Sequence, residues 1–599
     1  MTNKDPRLAD RKIITKKEVY GGKEFDVTYV SMIEPKPKEE IDRLVKEGKI
    51  RDSLTGYKFC CPPLKVNTVE EMNPYIVRHG DVPCKLRDGV TIYSDIYLPK
   101  VITEKIPVII SWSPYGKRQA ESASNWKLMG VPPQTVTRMA KFESADPGYW
   151  CRYGYAVANV DPRGIGNSEG DADNFGEQDG RDGYDYIEWI AQQEWCNGKV
   201  ATFGNSAVAM TQWMIAAEQP PHLACIAPWE GTGDMYRESL SFGGIPSPGF
   251  NAMISLDCAG KGYIEYLPAV LQKYPYMNEY WEAKIPNYDK IRIPAYVCAG
   301  WCHFHLRGAF EGYRRIRSPK KWFRCHREFE WPDAYKPEHL EDLKRFYDRY
   351  LKEINNGWEL TPRVRVEVMD SYDYDYVTDR AETSMPIERT EYKKLYLDAA
   401  NEKASFEEVE TESEVVYDPN NEGSAIFKYT FKEDTEITGY MKLHLFIECR
   451  GHNNMDLFPW VKKLNSDGEY VPILCLDAPY RGAWGYFRGS RRELDEDLST
   501  DYQPIQAHRK DEPMEEGKIY EVDIEMWPHS RFFHKGETLM LQIYGNFVKS
   551  DWFMDRNLTF DVDNGEGKHV IHTGGKYKSY LQIPVIPPKF KTGDYVYKM

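Results

Sequence analysis

Ser206 has the sequence surroundings of a catalytic nucleophile. It follows Gly204 and Asn205 at the end of an apolar, strand-like run and precedes an amphipathic, helix-like run. A serine on such a strand-to-helix turn projects its hydroxyl above the sheet, and the start of the helix favours developing negative charge. These features predict acyl transfer through attack on a carbonyl group. Because Val208 stands where the complete Gly-x-Ser-x-Gly signature has glycine, Ser206 could alternatively be a helix N-cap.

Two histidines separated by one residue, His303 and His305, form a second pair that could take part in chemistry. On an extended segment both rings would point the same way, so the pair could be half of a metal site. No third metal ligand follows at a diagnostic spacing. The 12 cysteines form no set of C-x-x-C motifs of the kind that binds zinc. We therefore predict no metal ion, no other cofactor and no disulfide framework.

Strands and helices alternate in the part of the chain that carries Ser206. The predicted strands are 107–112, 155–161, 200–206, 293–301 and 321–327, and the predicted helices are 183–193, 208–218 and 337–352. This order implies a parallel sheet with helices on both faces. An irregular stretch interrupts the alternation after the third strand, as expected for a cap inserted over an active site.

We predict four segments in the chain. They are an N-terminal arm at 1–70, an α/β domain at 71–232 and 289–356, a cap at 233–288, and a β-sandwich of jelly-roll type at 357–599. The sandwich is predicted from short strands separated by turn clusters, with little helical periodicity. The arm carries no recognisable chemistry and is expected to be a surface element or an oligomer contact.

Composition excludes several classes of function. Lys and Arg number 78 and Asp and Glu 93, so the formal net charge is −15, which argues against a nucleic-acid partner. No window approaches the roughly 18 apolar residues of a membrane span, and no apolar leader is apparent at the start. We therefore predict a cytoplasmic protein without a membrane partner, and a homo-oligomer remains possible.

Several motifs occur together in the order of a known family. They are Ser113-Pro-Tyr115-Gly-Lys117, Asp161-Pro-Arg-Gly-Ile-Gly-Asn-Ser-Glu-Gly170, Trp189-Ile-Ala-Gln-Gln-Glu-Trp195-Cys-Asn-Gly-Lys-Val200 and Thr211-Gln-Trp213. The chain resembles the cocaine-esterase/nonactin-hydrolase family, which is related to the X-prolyl dipeptidyl peptidases. The resemblance implies an α/β-hydrolase domain with an inserted helical cap and a C-terminal jelly roll. It also implies that Ser206 is the nucleophile and that the Tyr115 hydroxyl and the Ala207 backbone N–H bind the oxyanion. Without the resemblance, Tyr115 would be interpreted as an ordinary buried tyrosine.

The chain departs from this family where the acid and the base of the triad are expected. Family members usually have an aspartate after the strand that ends in Gly-Trp and a histidine after the next strand. Here the first position has His303 and His305, and the second has Glu330 and Asp333. A triad is defined by roles and distances rather than by chain order. We therefore predict that His305 is the general base and that Asp333 orients it, with His303 as the alternative base and Glu330 as the alternative acid.

The predicted function is that of a serine hydrolase acting on an ester or amide of a small, apolar or aromatic molecule. The cap supplies suitable side chains, which could equally be the cap's own core: Tyr236, Phe242, Phe250, Met253, Tyr263, Tyr266 and Trp281. A site for a peptide N-terminus would need carboxylates, and nothing in the sequence selects Glu230, Asp234 or Glu238 over surface acids. The alternatives are a non-hydrolytic acid/base cyclase or lyase of biosynthesis, and a catalytically silent binding protein.

Overall fold

The computed structural model describes residues 8–47, 62–118, 126–127, 129–476, 478–480, 482–551, 555 and 558–589. Up to residue 326 the strands are β1 (Ile13–Tyr20), β2 (Lys23–Ser31), β3 (Thr68–Asn73), β4 (Ile76–Lys85), β5 (Thr91–Pro99), β6 (Ile106–Trp112), β7 (Ala156–Asp161), β8 (Cys196–Asn205), β9 (Leu223–Trp229), β10 (Ser241–Phe242), β11 (Ile245–Pro246), β12 (Tyr263–Glu265), β13 (Ala295–Gly300) and β14 (Lys321–His326). The α-helices are α1 (Lys38–Lys46), α2 (Pro147–Trp150), α3 (Glu177–Ile190), α4 (Ser206–Ala217), α5 (Gly249–Asp257), α6 (Leu267–Lys273), α7 (Glu279–Glu282), α8 (Leu306–Arg315), α9 (Glu330–Ala334) and α10 (Pro337–Leu351).

The later part of the described chain consists mainly of strands. They are β15 (Val364–Ser371), β16 (Tyr374–Glu382), β17 (Glu391–Asp398), β18 (Lys403–Ser405), β19 (Ser413–Tyr417), β20 (Ser424–Thr430), β21 (Thr435–Arg450), β22 (Asp456–Leu464), β23 (Ile473–Cys475), β24 (Ala478–Tyr480), β25 (Ala483–Trp484), β26 (Phe487–Arg488), β27 (Tyr520–Phe533), β28 (Thr538–Tyr544), β29 (Lys568–Thr573) and β30 (Tyr580–Val585).

The chain divides into two compact units. The described residues of Met1–Leu240, Ser247–Arg324 and Glu328–Pro362 form the first unit, and those of Ser241–Pro246, Cys325–Arg327 and Arg363–Met599 form the second. The short hairpin of β10 and β11 lies within the range predicted for the cap but clusters with the second unit.

A mixed sheet forms the centre of the first unit. Its strands lie in the order β14, β13, β9, β8, β6, β7, β5, β4 and β3. Pairing is parallel from β13 through β9, β8 and β6 to β7, and antiparallel from β7 to β3. Strands β6 and β7 are buried at every residue, and so is helix α4, as expected where a parallel sheet is covered on both faces. The predicted α/β architecture is confirmed.

The described part of the predicted N-terminal arm contributes a hairpin to the first unit. Strands β1 and β2 pair in an antiparallel register through a two-residue turn, Gly21-Gly22, in which both residues have positive φ. Strand β12, from the predicted cap, pairs with β2 and extends the hairpin to three strands. The arm therefore packs against the chain segment that carries helices α5 to α7.

The second unit is a β-sandwich, as predicted. One path of paired strands runs in the order β19, β29, β21, β30, β17, β18, β20, β28, β22 and β25, and β27 pairs along the length of β21. Inward-facing side chains such as Leu443, Leu445, Ile524, Leu541 and Ile583 form one buried apolar cluster. Buried residues alternate with partly buried ones in the middle of β21 and along β28, with the period of two that is typical of a sandwich.

Two findings bear on the class of protein. Within the described residues, no helix has both the length and the apolar character needed to cross a bilayer. The cysteines in these residues are buried, and none of them forms a disulfide. Cys60 and Cys61 lie outside the described residues.

Candidate active site

Ser206 lies on a strained turn between strand β8 and helix α4. Its φ is 50°, a left-handed conformation that serine rarely adopts, and Asn205 rather than Ser206 is the N-cap residue of the helix. A Cβ atom on Gly204 would lie 2.2 Å from Val208 Cγ1 and 2.7 Å from the Glu143 carbonyl oxygen. The turn therefore needs glycine at 204, and the space above that glycine accommodates the valine that replaces the expected second glycine.

Tyr115 contacts the predicted nucleophile directly. Its side chain is hydrogen bonded to the Ser206 side chain, and burial, followed by the nearby Glu143 carboxyl, raises the pKa of the phenol well above its ordinary value. The hydroxyl therefore stays protonated and able to donate. Ala207 is the second residue of α4, where backbone N–H groups have no partner within the helix. The structure thus places both predicted oxyanion donors beside Ser206.

Buried charges fix the loop that carries Tyr115. The Lys117 backbone N–H and its Nζ each lie 2.5 Å from a carboxylate oxygen of Asp161 at the end of β7. On the other side, Lys141 Nζ donates to the Gly116 carbonyl oxygen at 2.6 Å, and burial lowers the pKa of Lys141 to about 7. An oxyanion donor is effective when it is oriented before charge develops, and these contacts provide that orientation.

The His305 ring is held in a single tautomer. Its Nδ1 lies 2.8 Å from the Glu230 carbonyl oxygen, and a carbonyl oxygen only accepts, so Nδ1 carries the proton. In the neutral ring, Nε2 is then the atom with a free lone pair, as a general base requires. Burial, followed by the neighbouring His303, lowers the pKa of His305 well below its ordinary value, so the ring is neutral at neutral pH.

His303 lies between two buried carboxyl groups. Its Nδ1 is 3.4 Å from Glu230 Oε2, and its Nε2 is 3.3 Å from Glu330 Oε1. Nδ1 also accepts the backbone N–H of His305 at 3.1 Å, and the two imidazole centroids are 4.7 Å apart. Burial lowers the pKa of His303 to about 3 and raises that of Glu330 well above its ordinary value, so both groups are neutral.

Glu330 connects the histidines to the nucleophile turn. Asn205 Nδ2 donates to the Glu330 carbonyl oxygen at 3.5 Å, next to Ser206 in the chain. The Glu330 side chain lies close enough to Tyr115 to raise the pKa of its phenol. One ligand-capable atom from each of His303, His305 and Glu330 lies within 4.8 Å of the other two. The structure therefore brings the alternative base and the alternative acid together with the preferred base.

Asp333 does not orient His305. Its carboxylate forms a two-pronged ion pair with Arg324, at 2.7 and 2.5 Å, and lies 3.1 Å from His339 Nδ1. The hydrogen-bond acceptor of the His305 ring is the Glu230 carbonyl instead. The physical reason is that Arg324, buried in strand β14, needs a carboxylate partner, and Asp333 neutralises it. The sequence signal for this ion pair was Arg324 itself, a charged residue that lies between apolar residues in a predicted buried strand.

Two glutamates that line this region were not selected from the sequence. Glu230 directly follows β9 with a φ of 60°, and Glu143 has a φ of 57°. Both are almost fully buried, and Glu143 Oε1 accepts from Trp331 Nε1 at 3.1 Å. An acid that directly follows a fully apolar strand, as Glu230 does, was a usable signal, because the carboxyl edge of a parallel sheet is where α/β folds bind ligands.

Two sets of ring contacts involve cap residues that were predicted to line the site. Phe250 packs edge-on against Phe304, at 4.9 Å between ring centroids, and Phe304 lies 3.9 Å from the His305 ring. Tyr236 and Trp281 pack against each other in the core of the cap. Through Phe304, these ring contacts connect Phe250 to His305.

The two other acids considered for an amine site are already neutralised. Asp234 Oδ2 pairs with Arg237 at 2.8 Å, and Glu238 Oε1 pairs with Arg307 at 2.7 Å. A buried ion pair leaves little attraction for a substrate ammonium group.

Comparisons with known proteins agree with this architecture. A family model described as X-Pro dipeptidyl-peptidase (S15 family) matches residues 88–259, and one described as the X-Pro dipeptidyl-peptidase C-terminal non-catalytic domain matches residues 356–582. A cocaine esterase from Rhodococcus sp. (strain MB1 Bresler) is 24% identical over 617 residues, which cover 85% of this chain and 98% of the relative.

Solved structures give the same result. A crystal structure of a CocE/NonD family hydrolase from Staphylococcus aureus is 33% identical, covers 88% of this chain and 98% of its own, and superposes with a TM-score of 0.82. An α-amino acid ester hydrolase, 16% identical, covers 86% of this chain and 98% of its own with a TM-score of 0.62, which shows a shared fold.

Proposed function

Because the chain belongs to the CocE/NonD family of hydrolases, related to the X-Pro dipeptidyl peptidases, we propose that Ser206 is its catalytic nucleophile and that it hydrolyses small-molecule esters or amides. The observation that carries the proposal is the left-handed turn at Ser206 with its side chain hydrogen bonded to Tyr115. A backbone strained in this way persists only where the surrounding structure enforces it, and such positions cluster at active sites.

In the proposed reaction, Ser206 Oγ attacks the substrate carbonyl carbon while its proton passes to His305 Nε2. The tetrahedral oxyanion accepts hydrogen bonds from the Tyr115 hydroxyl and the Ala207 backbone N–H. When the carbon–oxygen or carbon–nitrogen bond breaks, His305 returns the proton to the leaving alcohol or amine. Water then attacks the acyl-enzyme with the same base, which releases the acid and restores the serine.

A backbone carbonyl takes the place of the usual orienting aspartate in this proposal. The Glu230 carbonyl holds the Nδ1–H of His305, and the carboxyl groups of Glu230 and Glu330 lie on either side of the adjacent His303. Because Glu330 is neutral, the Glu230 carboxyl group, when ionised, is the one that can supply the negative charge that stabilises a transient imidazolium. Asp333 has no part in the reaction because Arg324 already binds it.

The substrate class follows from the lining of the site. Phe250 and Phe304 offer an apolar surface near the histidines, and the described contacts of the site provide no Lys or Arg that would bind a substrate carboxylate at His303 or His305. One relative is named a cocaine esterase, and we carry over only the class, an ester of a small molecule. An uncharged ester with an apolar or aromatic group is the substrate that we expect.

Active-site labelling tests the proposal. A fluorophosphonate probe should modify the wild-type protein at one site, identified by peptide mass spectrometry as Ser206, and Ser206→Ala should lose both labelling and the turnover of p-nitrophenyl esters. Ser111→Ala is the matched control, because Ser111 is also buried, in strand β6, but donates to the Phe203 carbonyl. Ester turnover that persists in Ser206→Ala would contradict the proposal. An inert Ser206 without any turnover would favour the non-hydrolytic alternative.

A further inference from the structure

The histidine pair of the site has unused metal-binding capacity. His303 Nε2 and Glu330 Oε2 are buried atoms that make no hydrogen bond, in side chains that are 0% and 2% exposed. A buried polar atom without a partner destabilises the fold, and a bound ion is one of the ways in which proteins satisfy such atoms. Together with His305, these residues provide three potential ligand atoms within 4.8 Å of one another.

The second layer of contacts also fits a metal site. Histidines that bind metals usually donate their other ring N–H to a carboxylate or a backbone carbonyl. Both Nδ1 atoms here face Glu230, at 2.8 Å from its carbonyl oxygen for His305 and 3.4 Å from its carboxylate for His303. When His303 binds an ion through Nε2, its ring proton moves to Nδ1, which then gives up the His305 backbone N–H and donates to the Glu230 carboxylate instead. One residue therefore supports both imidazoles.

Two other clusters of acids and a histidine already contain a protein cation. In the first, Lys463 Nζ lies 2.7 Å from both Asp370 and Glu537, which are grouped with His534.

In the second, Arg450 binds Glu448 and Glu414 at 2.6 and 2.9 Å, beside His572.

By contrast, the described contacts of His303, His305 and Glu330 include no Lys or Arg. This cluster alone of the three lacks a cation of its own.

We propose that His303, His305 and Glu330 form a binding site for a divalent transition-metal ion such as Zn²⁺, and that the bound ion reversibly inhibits hydrolysis. Two imidazoles and one carboxylate are ligands that Zn²⁺ favours, with a fourth position left for water. Binding forms coordinate bonds to the three residues, and the Glu330 proton leaves to solvent. Inhibition follows because the ion occupies the His305 lone pair, and this part rests on the proposed function.

Direct metal binding provides the test. Protein treated with a chelator and then dialysed against ZnCl₂ alone should retain one zinc ion per chain, measured by elemental analysis and by competition with a chromophoric chelator. His303→Ala and Glu330→Gln should each weaken zinc binding at least tenfold. Glu448→Gln is the matched control and should leave the affinity unchanged, because Arg450 already occupies that cluster. Substitution with Co²⁺ should give visible absorption that both site variants lose.

Parallel ester turnover separates the two proposals. One equivalent of Zn²⁺ should suppress wild-type turnover, and a chelator should restore it. Absence of zinc binding to the wild type, or an affinity in both site variants equal to that of the wild type, would overturn the metal site. Labelling of Ser206 would be unaffected by either result. Full turnover with one zinc ion bound at the site would overturn the inhibition and would also remove His305 as the base.

Discussion

Glu230 contacts both histidines of the site through different groups. Its carbonyl fixes the tautomer of His305, and its carboxylate approaches His303. Because a backbone group holds the proposed base, substitution of the Glu230 side chain leaves that hydrogen bond available. The base is therefore positioned by the path of the chain after β9 more than by any acidic side chain.

Separate roles for His305 and Asp333 are the first test at this scale. We expect His305→Ala to lower kcat for a p-nitrophenyl ester about 10³-fold or more, because the proton acceptor is lost. Asp333→Asn should keep kcat within about tenfold but lower the free energy of unfolding by roughly 3–5 kcal/mol, because Arg324 is left buried without its partner. Turnover assays and urea denaturation measure the two effects. An equal loss of kcat in both variants, with unchanged stability in Asp333→Asn, would reinstate the predicted pair.

The Tyr115 hydroxyl is the second test. Tyr115→Phe should lower kcat about 100-fold or more with little change in KM, because the donor acts chiefly on the oxyanion. Tyr347→Phe is the matched control, since its buried hydroxyl donates to the Thr202 carbonyl at 2.8 Å behind the sheet. That variant should lose stability but not turnover. A similar kcat in the two variants would exclude Tyr115 from the oxyanion site.

At the residue scale, the sequence predicted the strand-to-helix turn at Ser206 better than it predicted the contacts of the nearby histidines and acids. Ser206 was recognisable because the surrounding strand and helix are local and periodic. The link between Asp333 and Arg324 was not, since it depends on which side chains face each other when strand β14 and helix α9 pack. The contact between the Glu230 carbonyl and His305 could not be predicted from residue types, because every residue has a backbone carbonyl.

The turn between β8 and α4 determines the position of Ser206, the proposed nucleophile. Gly204→Ala places a methyl group against Val208 and the Glu143 carbonyl, so we expect a severe loss of kcat/KM and of thermal stability. Gly198→Ala is the matched control on the same strand, with a φ of 82° and its closest neighbour, His222, at 3.7 Å. It should cost only about 1 kcal/mol of stability and retain turnover. Full activity in Gly204→Ala would show that the turn is not constrained as described.

The loop held by Lys141 should show a pH-dependent stability. The pKa of Lys141 is about 7 in the folded protein and 10.5 in the unfolded chain, so the unfolded chain binds more protons between these values. The free energy of unfolding should therefore rise with pH in this range, by at most about 1.4 kcal/mol per unit from this group. Urea denaturation at pH 7, 8 and 9 should show a flatter dependence in Lys141→Met. An unchanged slope would mean that Lys141 stays charged in the fold.

Elements were predicted well where a pattern extends over many residues. Strands β6, β7, β8, β13 and β14 and the long helix α10 lie close to their predicted positions because extended patterns define them, whereas strand β9 of the same sheet was not predicted. The two-residue strands β10 and β11 were not predicted, since two residues carry no period. Helix α9 was also missed, because five residues that include Pro332 give no helical repeat.

At the scale of the whole molecule, we expect the described cysteines to react poorly with alkylating reagents. Burial raises the pKa of the Cys84 thiol to about 12 and that of Cys449 to about 11, so little reactive thiolate forms at neutral pH. Iodoacetamide should leave the described cysteines unmodified in the native protein and should label all of them in urea without a reductant. Peptide mass spectrometry identifies each position. A described cysteine that labels only after reduction would reveal a disulfide that the structure lacks.

Three residues at and near the proposed nucleophile have a left-handed backbone conformation, and this has a consequence for laboratory evolution. Glu143, Ser206 and Glu230 all have φ values between 50° and 60°, and each costs of order 1–3 kcal/mol. A screen for heat resistance alone would reward glycine or asparagine at 143 and 230, and would thereby remove the acid near Tyr115 and the acid beside His303. Mutant libraries that aim to raise thermal stability should therefore leave positions 143 and 230 unchanged and introduce stabilising substitutions elsewhere in the fold.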